Sequence, residues 1–242
     1  MKDFLTDIVQ HTLPTGIDVV KVTGDANETK IESVTEDRSV ILNAKFNEVN
    51  PDFAGIFGMP NLSKLNTVLN IPEYASDATI ELKREQRNGA QTPVGIHFEN
   101  AGGDFKNDYR FMTTEVINEK LKTVKFRGAN FGITFEPSVG SIQRLKFQLQ
   151  ANSEEKMFVA KTEGTNLKFF FGDVSTHAGN FVFQSDVTGT LTKGWAWPVG
   201  LFISILNLQG DKTVEFSDDG VAKVVVNSGL ITYEYLLPAK AK

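Results

Sequence analysis

The chain repeats itself. Leu65-Asn66-Thr67-Val68-Leu69-Asn70-Ile71 reads in the same apolar and polar order as Phe202-Ile203-Ser204-Ile205-Leu206-Asn207-Leu208. Shortly after each, Asp77-Ala78-Thr79-Ile80-Glu81-Leu82 matches Asp211-Lys212-Thr213-Val214-Glu215-Phe216, so only a short length change in one loop separates the copies. Upstream, Lys21-Val22-Thr23-Gly24 resembles Lys161-Thr162-Glu163-Gly164, and Ser39-Val40-Ile41-Leu42 holds the place of Asn180-Phe181-Val182-Phe183. Each match is short. Their common order is what duplication of a supersecondary unit produces. With 242 residues there is room for two domains of ordinary size. The expected organisation is a first domain at 1–114, a connecting linker at 115–129 and a second domain at 130–242.

Local periodicity fills in each half. Phe4, Leu5, Ile8 and Val9 recur at helical spacing within Asp3 to Thr12, and Pro14 ends that run. Leu62, Leu65, Val68 and Leu69 share one face of a second helix, with Asn61 placed to cap it. Pro198 suits the first turn of the corresponding helix in the other half, and Gly210 its stop. Ser138 to Gln150 fits two patterns, because Leu145, Phe147 and Leu149 also alternate as in a strand. The repeat decides for helix, since this segment stands where Asp3 to Thr12 stands. The remainder reads as strands rich in Val, Ile and Phe between Gly, Asn and Asp turns. Examples are Val19 to Val22, Ser39 to Phe46, Val94 to Glu99, Leu167 to Gly172, Gly179 to Asp186, Val221 to Val226 and Leu230 to Leu236. The fold class is α+β: two tandem similar domains, helices packed on antiparallel sheets. Thr114 to Ala129, charged with isolated apolar residues, reads as an ordered linker.

Several function classes drop out. There are no cysteines, which removes a disulfide scaffold, a thiolate metal site and a cysteine nucleophile. His11, His97 and His177 lie in different elements, and no pair has metal-ligand spacing. No phosphate-binding glycine loop or nucleophile elbow occurs. Gly102-Gly103 and Asp218-Asp219-Gly220 read as turns. No cofactor, metal or catalytic residue is therefore expected, and the chain is read as not an enzyme. Trp195 and Trp197 read as packing residues in preference to a base-stacking platform. No run is long enough to span a bilayer, the apolar stretch from Val199 to Leu208 included, and the N-terminus lacks a signal-peptide pattern. A cytoplasmic setting follows as the expectation. The net charge is −5, which argues against a protein that grips nucleic acid over its whole surface.

The C-terminal run Leu230-Ile231-Thr232-Tyr233-Glu234-Tyr235-Leu236-Leu237-Pro238-Ala239-Lys240 resembles the end of DNA sliding clamps of the proliferating-cell-nuclear-antigen type. Pro198 to Phe216 is similar to that family's last inner helix and following strand. Glu136-Pro137-Ser138 is similar to the segment that opens its first helix in the second domain. Gly179-Asn180 with the alternating residues after it, and Asp108-Tyr109, resemble the two strands that pair between neighbouring subunits. The distance from cellular clamps points to a phage clamp of the T-even type.

The resemblance implies a homotrimeric ring that encircles double-stranded DNA without reading sequence. It implies a clamp loader and a tethered DNA polymerase as partners, and no membrane. Implied DNA-facing residues are Lys2, Lys64, Lys83, Arg84, Arg144 and Lys146, with Arg87 beside Lys83 and Arg84. The implied partner-peptide groove is Val34, Ile117, Leu121, Leu236, Leu237 and Pro238. The implied subunit interface is Tyr109, Phe111, Asn180, Phe181 and Phe183. The helix from Pro198 to Leu208 carries no Lys or Arg, so the lining is poorer in cations than the family pattern calls for. The alternative reading is a duplicated β-rich structural or virion-assembly protein with no role on DNA.

Overall fold

The structure is a computed structural model that describes residues 1–87, 89–121, 126, 128–175 and 177–240. The chain divides into two compact units. Unit 1 is Met1–Glu36, Ile41–Val124 and Ser228–Tyr233; unit 2 is Asp37–Val40, Lys125–Asn227 and Glu234–Lys242.

Unit 1 contains α1 (Lys2–Thr12), β1 (Val19–Gly24), β2 (Thr29–Val34), β3 (Ile41–Phe46), β4 (Gly55–Pro60), α2 (Leu62–Leu69), β5 (Thr79–Arg87), β6 (Ala90–Glu99), β7 (Lys106–Arg110) and α3 (Thr114–Lys120). Its strands pair antiparallel in the orders β4-β1-β2-β3 and β5-β6-β7. α1 and α2 pack together and bury Leu5, Ile8 and Val9 with Leu62, Leu65, Val68 and Leu69. Asn61 sits at φ 52, where Asn is tolerated better than most residues, and its side chain accepts from Lys64 N at 3.0 Å.

Part of the segment read as a linker is the helix α3. Its Ile117 is fully buried over Gly58, and a Cβ on Gly58 would lie 2.7 Å from the Ile117 side chain. Glycine at 58 is what lets α3 seat. Isolated apolar residues between charges hid a seven-residue helix that buries one side chain. Residues 122–125 and 127 of the expected linker lie outside the described residues.

The segment Ser228–Tyr233 returns from the C-terminal half to complete unit 1. Asn47 N donates to Leu230 O at 2.9 Å, continuing past β3, and Asn47 Nδ2 donates to Gly229 O at 2.9 Å. The carboxylate of Asp7 on α1 accepts from Tyr233 Oη at 2.7 Å and from Ser228 Oγ at 2.9 Å, and the His11 ring stacks on Tyr233 at 4.5 Å. Tyr233 is fully buried, so its hydroxyl depends on partners inside the protein. Asp7→Ala is expected to lower stability by about 2–4 kcal/mol, since hydrogen bonds to an ionised group are the strong ones and an orphaned buried hydroxyl adds its desolvation cost. Asp7→Asn keeps an acceptor and should lose less than half of that. Equal denaturant midpoints for wild type and Asp7→Ala would show that this tie does not hold the returning segment.

Unit 2 contains β8 (Phe131–Phe135), α4 (Val139–Ala151), β9 (Met157–Glu163), β10 (Asn166–Gly172), β11 (Ala178–Gln184), β12 (Ala196–Pro198), α5 (Val199–Leu206), β13 (Asp211–Ser217) and β14 (Val221–Asn227). The strand orders are β11-β10-β9-β12 and β8-β13-β14. The last strand, β15 (Ile231–Pro238), contributes its first three residues to unit 1 and the rest to unit 2. Ser138 caps α4 by accepting from Ser141 N at 3.0 Å. Only Leu145 of α4 is fully buried, which is why its periodicity was ambiguous. Phenylalanines dominate the core: Phe158, Phe169, Phe183, Phe202 and Phe216 form one cluster with Trp197, whose Nε1 donates to Leu237 O at 3.1 Å. Trp197 is a core residue; Trp195 is half-buried and donates to Asp218 O at 2.8 Å.

Candidate nucleic-acid and subunit interfaces

The helices decide what the chain can offer to a polyanion. On α1 the only lysine is Lys2, and its ammonium donates to Tyr74 O at 2.5 Å. On α2, Lys64 is exposed. On α4, Arg144 is exposed with its guanidinium 5.3 Å from the Phe181 ring centre, and Lys146 is half-buried. α5 carries no cation and presents Gly200, Leu201 and Ser204. The exposed side of α4 also holds Val139 and Phe147, with Gln143 and Gln150 between and beyond them. These helix faces are thus nearly neutral.

The β5 cations part company. Lys83 is exposed. Arg84 is folded against the turn before β4, donating to Ala54 O and Asp52 O, each at 3.0 Å. The side chain of Arg87 lies outside the described residues. Among the described residues no group of three or more His, Cys, Asp or Glu could hold a metal ion. Among the described residues no helix is long and apolar enough to cross a membrane.

Among the described residues, β7 and β11 are two of the strands that end a sheet; β4, β5, β8 and β12 are the others. β7 pairs with β6 and β11 with β10, and each ends its sheet. β7 turns Tyr109 inward, where its hydroxyl donates to Pro60 O and its ring meets Phe111, which stacks on Phe57 at 4.4 Å. Burial, with Asp18 nearby, pushes the Tyr109 phenol well above its ordinary pKa. β7 turns Lys106, Asp108 and Arg110 outward. His97 Nδ1 lies 2.9 Å from Asp108 and Nε2 3.2 Å from Glu99. The bond to His97 holds the Asp108 carboxyl below its usual range, and Lys106, then His97, do the same for Glu99. β11 turns Phe181 and Phe183 inward and Asn180 outward, with Val182 half-buried. Of the residues expected at the subunit interface, Tyr109, Phe181 and Phe183 are therefore buried supports of these edges. Asn180 is on the surface.

Of the six residues implied for a partner groove, Ile117, Leu236 and Leu237 are buried, Val34 and Leu121 are half-buried, and Pro238 is exposed.

No protein-family model matches the chain, and no curated protein matches it either. Solved structures do. A structure described as the C-terminal region of FEN-1 bound to A. fulgidus PCNA matches with a TM-score of 0.71 at 9% identity, covering 100% of this chain and 96% of that one. The PCNA of Thermococcus kodakaraensis matches with a TM-score of 0.69 at 11% identity, covering 99% and 97%. The chain has the sliding-clamp fold. At such identities the likeness carries the fold and nothing finer. It adds nothing to the phage likeness read from the sequence. The clamp fold spans the whole chain, antiparallel sheets with helices packed on them.

Proposed function

We propose that this chain is a sliding clamp: a homotrimeric ring that encircles double-stranded DNA without sequence readout and tethers a DNA polymerase and other partners. A clamp loader would open it. The observation that carries the reading is the full-length clamp fold.

The internal repeat adds a second support. β5 matches β13, so β7 and β15 are the corresponding third strands of the two halves, and β3 corresponds to β11. Within unit 1, β3 is continued by Leu230 and the first residues of β15, Ile231 to Tyr233. The equivalent pair, β11 with β7, is left unmade in one chain. A long open edge invites pairing with another chain, and a second copy supplies the missing strand. Head-to-tail repetition of such a contact closes into a ring when the rotation permits.

A ring holds DNA by topology, so the nearly neutral helix faces are no obstacle. Weak phosphate contact favours sliding. Lys64, Lys83, Arg144 and Lys146 are the cations proposed to touch phosphate; Lys2 and Arg84 are engaged by backbone carbonyls. Partner binding over Val34, Leu121 and Pro238, with Ile117, Leu236 and Leu237 beneath, is part of the same proposal.

The test is retention on nicked circular DNA after loading, compared with linear DNA of the same sequence. Retention on circles and release on linearisation is the expected result. Equal retention on both would sink the ring and favour the structural-protein reading. In the same assay, Lys64→Ala/Arg144→Ala/Lys146→Ala should remain on closed circles. Its equilibrium binding should show a shallower salt dependence, by about 0.9 in slope for each phosphate that is no longer neutralised. An unchanged slope would take these three residues off the DNA.

A further inference from the structure

One groove of unit 2 is lined by none of the residues assigned above to DNA, partner or subunit contacts. This groove of about 710 Å³ lies over the outer side of β9, β10 and β12, within the size range of ligand-binding clefts. Met157, Val159, Phe170 and Ala196 line it. Met157, Val159 and Phe170 are half-buried, while the alternate residues Phe158, Ala160 and Phe169 are at 0% exposure in the core. Both faces of β9 are thus apolar at its start. An unbroken apolar run of this kind fits a strand covered on both faces. Here the core covers one.

The charges around the groove are sorted by end. The Glu155 carboxylate reaches to 3.3 Å from where a Cβ on Gly172 would lie, and Asp173 follows. At the other end the Lys161 ammonium is 3.7 Å from the same position on Gly194. Lys240 flanks the middle of the groove, level with Val159, its N–H donating to Ala196 O at 2.9 Å. From Met157 to Lys161 the strand advances by about 13 Å. Glu163 on the rim is paired with Lys168 at 2.5 Å. Among the described residues Glu155, Lys161 and Lys240 have no ion-pair partner. The smaller cavity over β5 to β7 differs: its Arg84, Asp108 and Arg110 are bound by Ala54 O, His97 and Glu85, and it adjoins the proposed subunit edge.

Resting on the clamp reading, we propose that this groove docks an extended peptide segment of a tethered partner protein. A large apolar side chain sits over Val159 and Phe170. A basic side chain meets Glu155 at one end, and an acidic side chain or terminal carboxylate meets Lys161 at the other. Pockets that take alternate side chains of an extended peptide are an established source of specificity. None of Val34, Ile117, Leu121, Leu236, Leu237 or Pro238 lines this groove, so it is a separate contact from the one implied by the family resemblance.

A random dodecamer peptide library displayed on phage, selected on the full chain without DNA, supplies the probe. Recovered peptides should share a large apolar residue with a base on one side and an acid on the other. In fluorescence anisotropy, Phe170→Ser should weaken a recovered peptide by about tenfold or more, as truncating an anchoring side chain does. Because Phe170→Ser could also disturb folding, the surface double variant Glu155→Lys/Lys161→Glu is measured beside it. That variant should lose the original peptide and gain one with acid and base exchanged. Unchanged affinity in both variants, or no enriched peptides, overturns the proposal. So does a wild-type self-association in sedimentation that Phe170→Ser abolishes, since a second copy would then be the occupant. Peptide binding is read without DNA. Groove binding without retention on nicked circles would therefore overturn the clamp and leave the groove, and the reverse result would overturn the groove alone.

Discussion

Asn180→Lys/Val182→Lys is expected to turn the proposed ring into free monomers while leaving each monomer folded. Asn180 is exposed and Val182 half-buried on the open edge of β11, so neither supports the core. Surface changes of this kind cost about 0.5 kcal/mol or less of stability. The strand proposed to meet this edge presents Lys106 and Arg110 outward, and Asp108 between them is already bound by His97. Two added lysines place like charges across the new pairing, and lysine on an edge strand also blocks the approach of another strand. A loss of about 1.4 kcal/mol at an interface is about tenfold in its dissociation constant, and two repelled pairs supply roughly that much. In a ring every interface carries the same lesion. Sedimentation should show the trimer mass replaced by the monomer mass at micromolar concentration, and retention on nicked circles should fall to the level of linear DNA. The thermal midpoint of the monomer should stay within about 2 °C of wild type. A variant that remains trimeric and retained would show that β11 is not the ring edge.

The two kinds of information in the sequence differed in reach. Helices and strands with a one-sided apolar pattern were readable: α1, α2 and α5 fall within a residue or two of their expected spans, and the repeat placed α4 where local pattern was divided. The repeat also pointed to the clamp fold, which the solved structures share over the full chain. α3 was missed because it buries only Ile117 and so has almost no amphipathic signal. The return of Ser228–Tyr233 to unit 1 was missed because pairing between distant segments leaves no local pattern. Roles of charged residues were least legible. Lys2 and Arg84 look like free cations in sequence, and only coordinates reveal the carbonyls that hold them. The groove over β9 had one faint signal, the unbroken apolar run Met157-Phe158-Val159-Ala160, which fits a strand covered on both faces.

Phe169→Ala is expected to be the most damaging single substitution in unit 2, at about 3–5 kcal/mol. Phe169 has no exposure and stands among five other phenylalanines. Phe183 stacks on it at 4.3 Å, Phe158 lies at 4.4 Å, Phe202 and Phe216 at 5.9 Å, and Phe181 at 6.0 Å. Rings fixed by one another collapse poorly into a void, which puts the cost near the top of the range for large-to-small changes. For a chain of this length that is a fall in melting temperature of roughly 10 °C. Phe147→Ala on α4 is the control: Phe147 is 57% exposed and its loss should change stability by about 0.5 kcal/mol or less. A loss below about 1 kcal/mol for Phe169→Ala would mean the ring cluster is not the core of the unit. The same substitution bears on the ring, because Phe181 and Phe183 seat β11 against Phe169. Its defect on DNA should therefore follow the folded fraction and recover on cooling. The defect of Asn180→Lys/Val182→Lys should persist in protein that is fully folded, and that difference separates an edge that pairs from a core that positions it.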